Sequence, residues 1–263
     1  MHISTFVLSP LLLAGFGSAQ TITGQFDCLP AGGYTLCQNL WGKGKSRDAT
    51  FMMTRVLILI LVAAGVGSQQ STLTSSSTQT VGWQTNYTWA NGPNNVKSYA
   101  NVESVASKGV QLENIASAPT SWTWTYASQS TGIRADVAYD IWFGKAPSGN
   151  PASTASSYEI MIWLSGLGGI QPVGSQITTG TVIANKTWNL WKGPNANWQV
   201  LSFVSAAGNL NSFDVDLNDF FTYLVAEQGV ASTQYVQAIQ AGTEAFVGTA
   251  DLVSTYSVSI IPK

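Results

Sequence analysis

The acids of this chain must do most of whatever chemistry it performs, because histidine cannot. His2 is the single histidine and lies among the first residues. The body of the chain is therefore closed to Ser-His-Asp and Cys-His catalysis, to histidine-ligated metals and to histidine general acid–base work. No glycine-rich phosphate loop of the Walker type occurs either. Four acids stand out: Asp136 and Asp140 in RADVAYDIWF, Glu159 in SYEIMIWL, and Glu244 in QAGTEAFVG. Two carboxyls flanking a cleft can hydrolyse a glycosidic bond, one attacking or stabilising the anomeric carbon and one protonating the leaving oxygen. Asp140, as a third, could share a proton with the attacking group and tune its pKa. Buried ion networks also collect acids, so spacing alone leaves both readings open.

Strand alternation says which way these acids point. In Ser157 to Leu164, Tyr158, Ile160, Ile162 and Leu164 share one face, while Glu159 shares the other with Met161 and Trp163. An acid among Met and Trp is unlike a solvated polar face and points to a cleft floor. In Arg134 to Phe143, the apolar face is Ala135, Val137, Tyr139, Ile141 and Phe143; Asp136, Ala138, Asp140 and Trp142 lie opposite with Arg134. A structural Arg134–Asp136 ion pair is expected. Periodicity leaves the direction of Glu244 open. Most of the chain reads as short strands between Gly, Ser, Asn and Pro clusters, an all-β antiparallel sandwich. One helix is expected in NSFDVDLNDFFTYLVAEQG, capped by Ser212, stopped by Gly229, with Asp214, Asp216 and Asp219 near its positive end. Glu103, Glu113, Glu227 and Asp251 read as surface acids.

Composition narrows the ligand. Only 9% of the 263 residues are charged, the net charge is -2, and there are ten Trp. No basic face suits a polyanion, so no nucleic-acid partner is expected. A neutral surface with Trp, Tyr, Asn, Gln and Ser suits a hydroxyl-covered ligand, whose flat C–H faces stack on aromatics, although most of the aromatics belong to the core. Residues 1–19 read as a secretory signal, with an apolar run from Phe6 to Phe16 followed by Gly17-Ser18-Ala19; the run lacks a preceding Lys or Arg, and Pro10 argues against a buried strand. Two sequons, at Asn86 and Asn185, agree with secretion and glycosylation. Cys28 and Cys37 are the only cysteines. They are expected to form a disulfide in an oxidising compartment and would be free thiols in a reducing one; with no histidine nearby they make no structural zinc site.

At these residues the chain resembles glycoside hydrolase family 12. The matching stretches are YTLCQNLWG (Tyr34 to Gly42), NNVKSY (Asn94 to Tyr99), DVAYDIW (Asp136 to Trp142), YEIMIWL (Tyr158 to Leu164), QPVG (Gln171 to Gly174) and GTEAFVG (Gly242 to Gly248). They run in family order over nearly all of 20–260. The resemblance implies a jelly-roll of two curved antiparallel sheets with a concave cleft and one outer helix. It implies a retaining double displacement, with Glu159 as nucleophile, Glu244 as acid/base and Asp140 beside the nucleophile. Asn39 and Trp41 would line the glycone side, with Trp41 as a stacking platform, and Met161 and Trp163 would flank the nucleophile. It implies no metal and no organic cofactor, a plant cell-wall β-glucan as substrate, no membrane partner and a monomer. Gly-Leu-Gly-Gly at 166–169 stands where many family members carry a basic residue and a tyrosine, and resembles the xyloglucan-specific branch. The alternatives are an enzyme for unbranched or mixed-linkage β-glucan, or a non-catalytic glycan-binding jelly-roll.

One segment breaks the resemblance. Residues 44–66 of the 20–263 domain are extra, roughly two dozen residues in a connection expected to be short. With Lys43 just before it, the segment concentrates four of the eleven basic residues, and it holds two of the four methionines and an apolar run from Val56 to Val66. A run of this length is too short for a membrane helix, which needs about 20 apolar residues. A real inserted hairpin or helix would expose VLILILV. An intron translated in frame explains the change of composition and the clean return of family sequence at Gly67, and is the preferred reading. The family's frequent cysteine after the Gly-Ser-Gln step is missing, which leaves Cys37 as the partner of Cys28.

Overall fold

The computed structural model describes residues 19–44, 48–53, 56–61 and 65–263, the two segments between 48 and 61 as backbone. His2, Lys45, Arg47, Arg55 and all of the expected signal up to residue 18 lie outside the described residues. The strands, in chain order, are β1 (Gln20–Ile22), β2 (Cys28–Ala31), β3 (Tyr34–Cys37), β4 (Asp48–Met53), β5 (Val56–Leu61), β6 (Val66–Ser76), β7 (Val81–Ala90), β8 (Ser98–Ser104), β9 (Ile115–Ser117), β10 (Pro119–Gln129), β11 (Arg134–Gly144), β12 (Ser156–Leu167), β13 (Ser175–Ile183), β14 (Lys186–Asn195), β15 (Trp198–Ser205), β16 (Ser212–Asp216), β17 (Tyr235–Val258) and β18 (Ile261–Pro262).

Fourteen of these strands build two curved sheets that share β17, while β9 pairs with β18 apart from them. The outer sheet runs β1-β6-β7-β17-β10-β16. The inner sheet runs β2-β3-β8-β17-β11-β12-β15-β14-β13, antiparallel throughout except for the parallel β12–β15 pair. β17 is 24 residues long; residues up to Val247 pair in the inner sheet, and from Gly248 onward it pairs in the outer one. Alternation then fills the space between the sheets. Trp83, Trp122 and Tyr256 of the outer sheet meet Tyr139, Ile141, Ile160 and Ile162 of the inner sheet, all fully buried. Trp122 packs edge-on to Tyr139, with ring centroids 5.0 Å apart. Each such side chain contributes on the order of 2 kcal/mol by leaving water.

The helix is shorter than the sequence suggests. α1 spans Asn218–Gln228, with Leu217 at its N-cap and no side-chain cap. Ser212 to Asp216 instead form β16 against β10, because the alternation of Phe213 and Val215 fits an edge strand as well as a helix. Asp216 remains a local organiser: its Oδ1 accepts the N–H groups of Ala118 (2.6 Å) and Asn218 (2.9 Å). Gly229 ends α1 at φ 70°, a left-handed conformation that glycine adopts without strain. Phe220, Phe221 and Leu224 anchor the helix on the core beside Trp188 and Phe203.

Cys28 and Cys37 face each other across the β2–β3 hairpin and form a disulfide, S–S 2.04 Å. Within the extra segment, β4 and β5 pair antiparallel with one another and, among the described residues, with no other strand. The segment leaves and rejoins the body at one point, where Gly44 N–H donates to Gly65 O at 3.1 Å.

Candidate active site

The face of the inner sheet turned away from the core carries the acids. Glu159 lies on β12 opposite Trp142 of β11, and Asp140 lies opposite Met161. Glu244 lies on β17 opposite Tyr99 of β8. Its direction follows from parity along β17. Ile239 and Ala241 point into the core, whereas Ala238 packs with Trp142, Met161 and Trp163 on the other face. Glu244 shares parity with Ala238 and so looks out over the same floor as Glu159. The structure thus brings Glu159, Glu244 and Asp140 together.

Asp136 joins them, which corrects the expected ion pair with Arg134. The Arg134 guanidinium donates to the Pro93 and Gly168 carbonyls and to Asn94 Oδ1. Asp136 is fully buried, and its Oδ1 accepts the Glu244 backbone N–H at 2.8 Å. Thr243 Oγ1 donates to the Asp136 carbonyl at 2.5 Å. The cause is register: Ala135 opposes Ala245 and Ala138 opposes Gly242, so Asp136 falls alongside Glu244.

Among the described residues no cation pairs with this cluster; the one ion pair there is Lys108–Glu103, 3.0 Å, on β8 and the loop after it. Burial and mutual repulsion therefore raise the carboxyl pKa values. Burial pushes Glu244 up to about 7, opposed by its contact with the Asp136 carboxyl and assisted by Glu159. Burial raises Glu159, and hydrogen bonds from Trp198 and Asn195 oppose the rise. Trp198 Nε1 donates to Glu159 Oε2 at 2.6 Å. Asp140 is held well above the ordinary range by burial, then by Glu159 and Glu244. Asp136 is also held well above it, by burial and then Glu244.

Of the remaining expected residues, two lie in the floor itself. Met161 and Trp163 sit beside Glu159 but are 4% and 2% exposed, packed with Trp142, Trp198 and Val200, so they support the floor from within. Trp41 is 37% exposed in the turn after β3. That turn is tied to the strand of Glu244: Gly42 N–H donates to Lys97 O (3.0 Å), and Lys97 N–H donates to Ala245 O (2.8 Å). Asn39 accepts the Tyr99 N–H through its carbonyl at 3.1 Å. Asn86 is exposed on β7, and Asn185 is exposed in the turn between β13 and β14. A surface pocket of about 600 Å³ adjoins Trp198, lined by Lys145, Thr154, Ser156, Tyr158, Asn197 and Gln199 among others. None of the four acids lines it.

Three participants escape a reading of the sequence alone. Trp198, beyond β14, touches Glu159 only through the parallel β12–β15 pairing, which one-strand periodicity cannot reveal. Tyr99 O–H donates to the Ala138 carbonyl at 3.0 Å, between Asp136 and Asp140, although NNVKSY marks its strand. Glu103, which reads as a surface acid, accepts from Gln240 Nε2 at 2.9 Å and adds to the rise at Asp140. Asp136 has one signal in the sequence, its parity with Asp140.

Known proteins share this architecture. The family model "Glycosyl hydrolase family 12" matches residues 32–261. The chain is 42% identical over 264 residues to xyloglucan-specific endo-beta-1,4-glucanase A of Aspergillus aculeatus, covering 96% of this chain and 99% of the relative. The enzyme of the same description from Emericella nidulans is 40% identical with the same coverage. Among solved structures, Trichoderma harzianum endoglucanase 3 superposes with a TM-score of 0.79 at 34% identity, over 93% of this chain and 98% of that one. The catalytic domain of Humicola grisea Cel12A, with a soaked thio cellotetraose, gives 0.78 at 31% identity over 92% and 99%. The match spans every strand that carries an acid of the site, and the chain belongs to glycosyl hydrolase family 12.

Proposed function

We propose that the protein is a secreted, retaining endo-β-1,4-glucan hydrolase that acts on xyloglucan. The carrying observation is the pair of glutamates on one floor in different surroundings. Glu159 receives the Trp198 N–H, which favours its anion, whereas Glu244 is pushed up to about 7 and keeps its proton in mild acid. Pairs of carboxyls whose surroundings assign them different protonation states divide the work of nucleophile and acid. Glu159 attacks the anomeric carbon while Glu244 protonates the departing glycosidic oxygen. Glu244, now a carboxylate, then takes a proton from the water that displaces Glu159. Asp140 stays neutral beside Glu159 and limits the charge that Glu159 must share.

The xyloglucan preference draws on the 166–169 turn and on the named activity of the relatives. Gly168 and Gly169 adopt φ of 73° and 69°, and Gly166, Gly168 and Gly169 are exposed. The strand of Glu159 therefore ends in a turn without bulky side chains at three of four positions, which leaves room for xylose branches. Trp41 supplies an exposed stacking surface. Reducing-sugar release from tamarind-type xyloglucan, barley β-glucan and carboxymethylcellulose tests the reading. Release from xyloglucan at least tenfold faster than from the other two is expected; faster release from the unbranched polymers would assign the enzyme to those, and none from any would leave a glycan-binding module.

A further inference from the structure

The contact between Asp136 and Glu244 resembles the one between Asp140 and Glu159: two buried aspartates, four residues apart on β11, each beside one glutamate. Asp136 Oδ1 is occupied by the Glu244 N–H, and Oδ2 is buried and accepts from no donor among the described residues. A buried carboxylate oxygen with no donor is costly, whereas a carboxylic acid oxygen carrying a proton can donate. The neighbouring carboxyl is that of Glu244.

We propose, building on the double displacement above, that Asp136 is a positioning residue that stays neutral through the cycle. Its Oδ1 fixes the Glu244 backbone, and its own O–H donates to the Glu244 carboxylate once that group has given its proton to the leaving oxygen. The proton balance is closed. Glu244 loses one proton as the C1–O bond to the leaving group breaks and the Glu159–C1 bond forms, and it regains one from water in the second half. Asp136 neither gains nor loses any. The groups facing the pair support a neutral acid. An ionised Glu244 would repel a second charge on Asp136, as Glu159 repels charge on Glu244, and Tyr87, Tyr99 and Tyr126, from β7, β8 and β10, are phenols kept protonated by burial. The nearby cations are engaged elsewhere: Arg134 on carbonyls and Asn94, and Lys97 Nζ on the carbonyls of Gly92, Asn95 and Phe246 at 2.7–2.9 Å.

The test combines NMR of the resting protein with two variants. In protein labelled with ¹³C at aspartate and glutamate carboxyls, the resonance lost in Asp136→Asn should still be at the protonated shift where the resonance lost in Glu244→Gln has ionised, at about 7. Its ionisation before that of Glu244 would overturn the proposal. Asp136→Ala should lower kcat by tenfold or more with KM within about twofold. Asp136→Asn, which keeps an N–H donor and an acceptor oxygen, should recover most of that loss, with the basic limb of the pH profile within half a unit of the parent. An Asp136→Asn enzyme as slow as Asp136→Ala would mean that an ionised Asp136 is required, and the proposal fails. Should Asp136→Ala not fold, the NMR titration and the Asp136→Asn profile decide. Retained turnover in Glu244→Gln would sink the acid/base assignment itself, a result independent of the Asp136 resonance.

Discussion

Trp198 Nε1 lies 2.6 Å from Glu159 Oε2, so an indole from β15 steadies the carboxylate proposed to attack. Hydrogen bonds to charged groups contribute about 1.5–3 kcal/mol, mostly in favour of the anion. Trp198→Phe keeps an edge contact with Trp142, whose ring centroid lies 5.3 Å from that of Trp198, and removes the donor. The acidic limb of kcat/KM should then move up by about one pH unit, with kcat falling roughly tenfold. An unmoved limb would show that the indole only packs.

Glu159→Gln and Glu244→Gln should each retain less than a few per cent of the parent rate, a barrier increase of about 2 kcal/mol or more. The amide fits the same space and neither attacks nor protonates. Unchanged circular dichroism must accompany the loss. A variant that kept a third of the activity would remove its residue from the mechanism.

Double displacement also fixes the stereochemistry. The two carboxyls should stand roughly 5–6 Å apart in a substrate complex, and the first product seen by NMR should have the anomeric configuration of the substrate. An inverted product would require a separation nearer about 9 Å and a water-activating base.

Stability should decline from acid towards neutral pH. Glu244, Glu159, Asp140 and Asp136 all have pKa values raised by burial, so the folded protein binds more protons than the unfolded chain between the two sets of values. Their contribution is fully present below about 4 and is lost as pH rises through the folded values, about 7 for Glu244. The rise at Glu244 alone corresponds to about 3 kcal/mol, or roughly 5–10 °C in Tm for a chain of this size. Calorimetry at pH 4.5 and 7.5 should show that fall, reduced in Glu244→Gln. A flat profile would contradict the burial of these charges.

Because the extra segment departs and returns where Gly44 meets Gly65, deleting 45–64 should leave the body intact. The shortened protein should match the full chain in activity within about twofold and in Tm within a few degrees. Peptide mapping of the protein from its native source should find no peptide spanning Arg55 to Gly67. Finding one would make the segment a natural part of the enzyme and refute the intron reading.

The parts of this fold legible in the sequence are those governed by period two. Alternation assigns the faces of Tyr158 to Leu164 and of Val137 to Phe143 as the structure has them, and with them the placement of Glu159 and Asp140. The start of α1 is illegible because FDVDL satisfies both periods, and its pairing with β10 decides between them. Sequence proximity suggests Arg134 as the partner of Asp136, whereas cross-strand register supplies Glu244. Trp198 is hidden for the same reason. Contacts across strands far apart in the chain set these side chains, and no local window contains them.

β17 gives the enzyme an unusual mechanical economy. A single uninterrupted strand carries Glu244 in its inner half and pairs in its outer half with the strands of Trp83 and Trp122. Local opening frees loops and edges more readily than central strands. Glu244, the proposed acid/base, is thus fastened to the last part of the molecule to let go, and the site cannot loosen while the sandwich holds. Heat should therefore extinguish catalysis and global structure in one event rather than inactivating the enzyme first. That event should be slow to reverse, since rejoining both sheets through one long-range strand demands pairings between Thr120 and Val258 or Trp83 and Ser254 that close loops of well over a hundred residues.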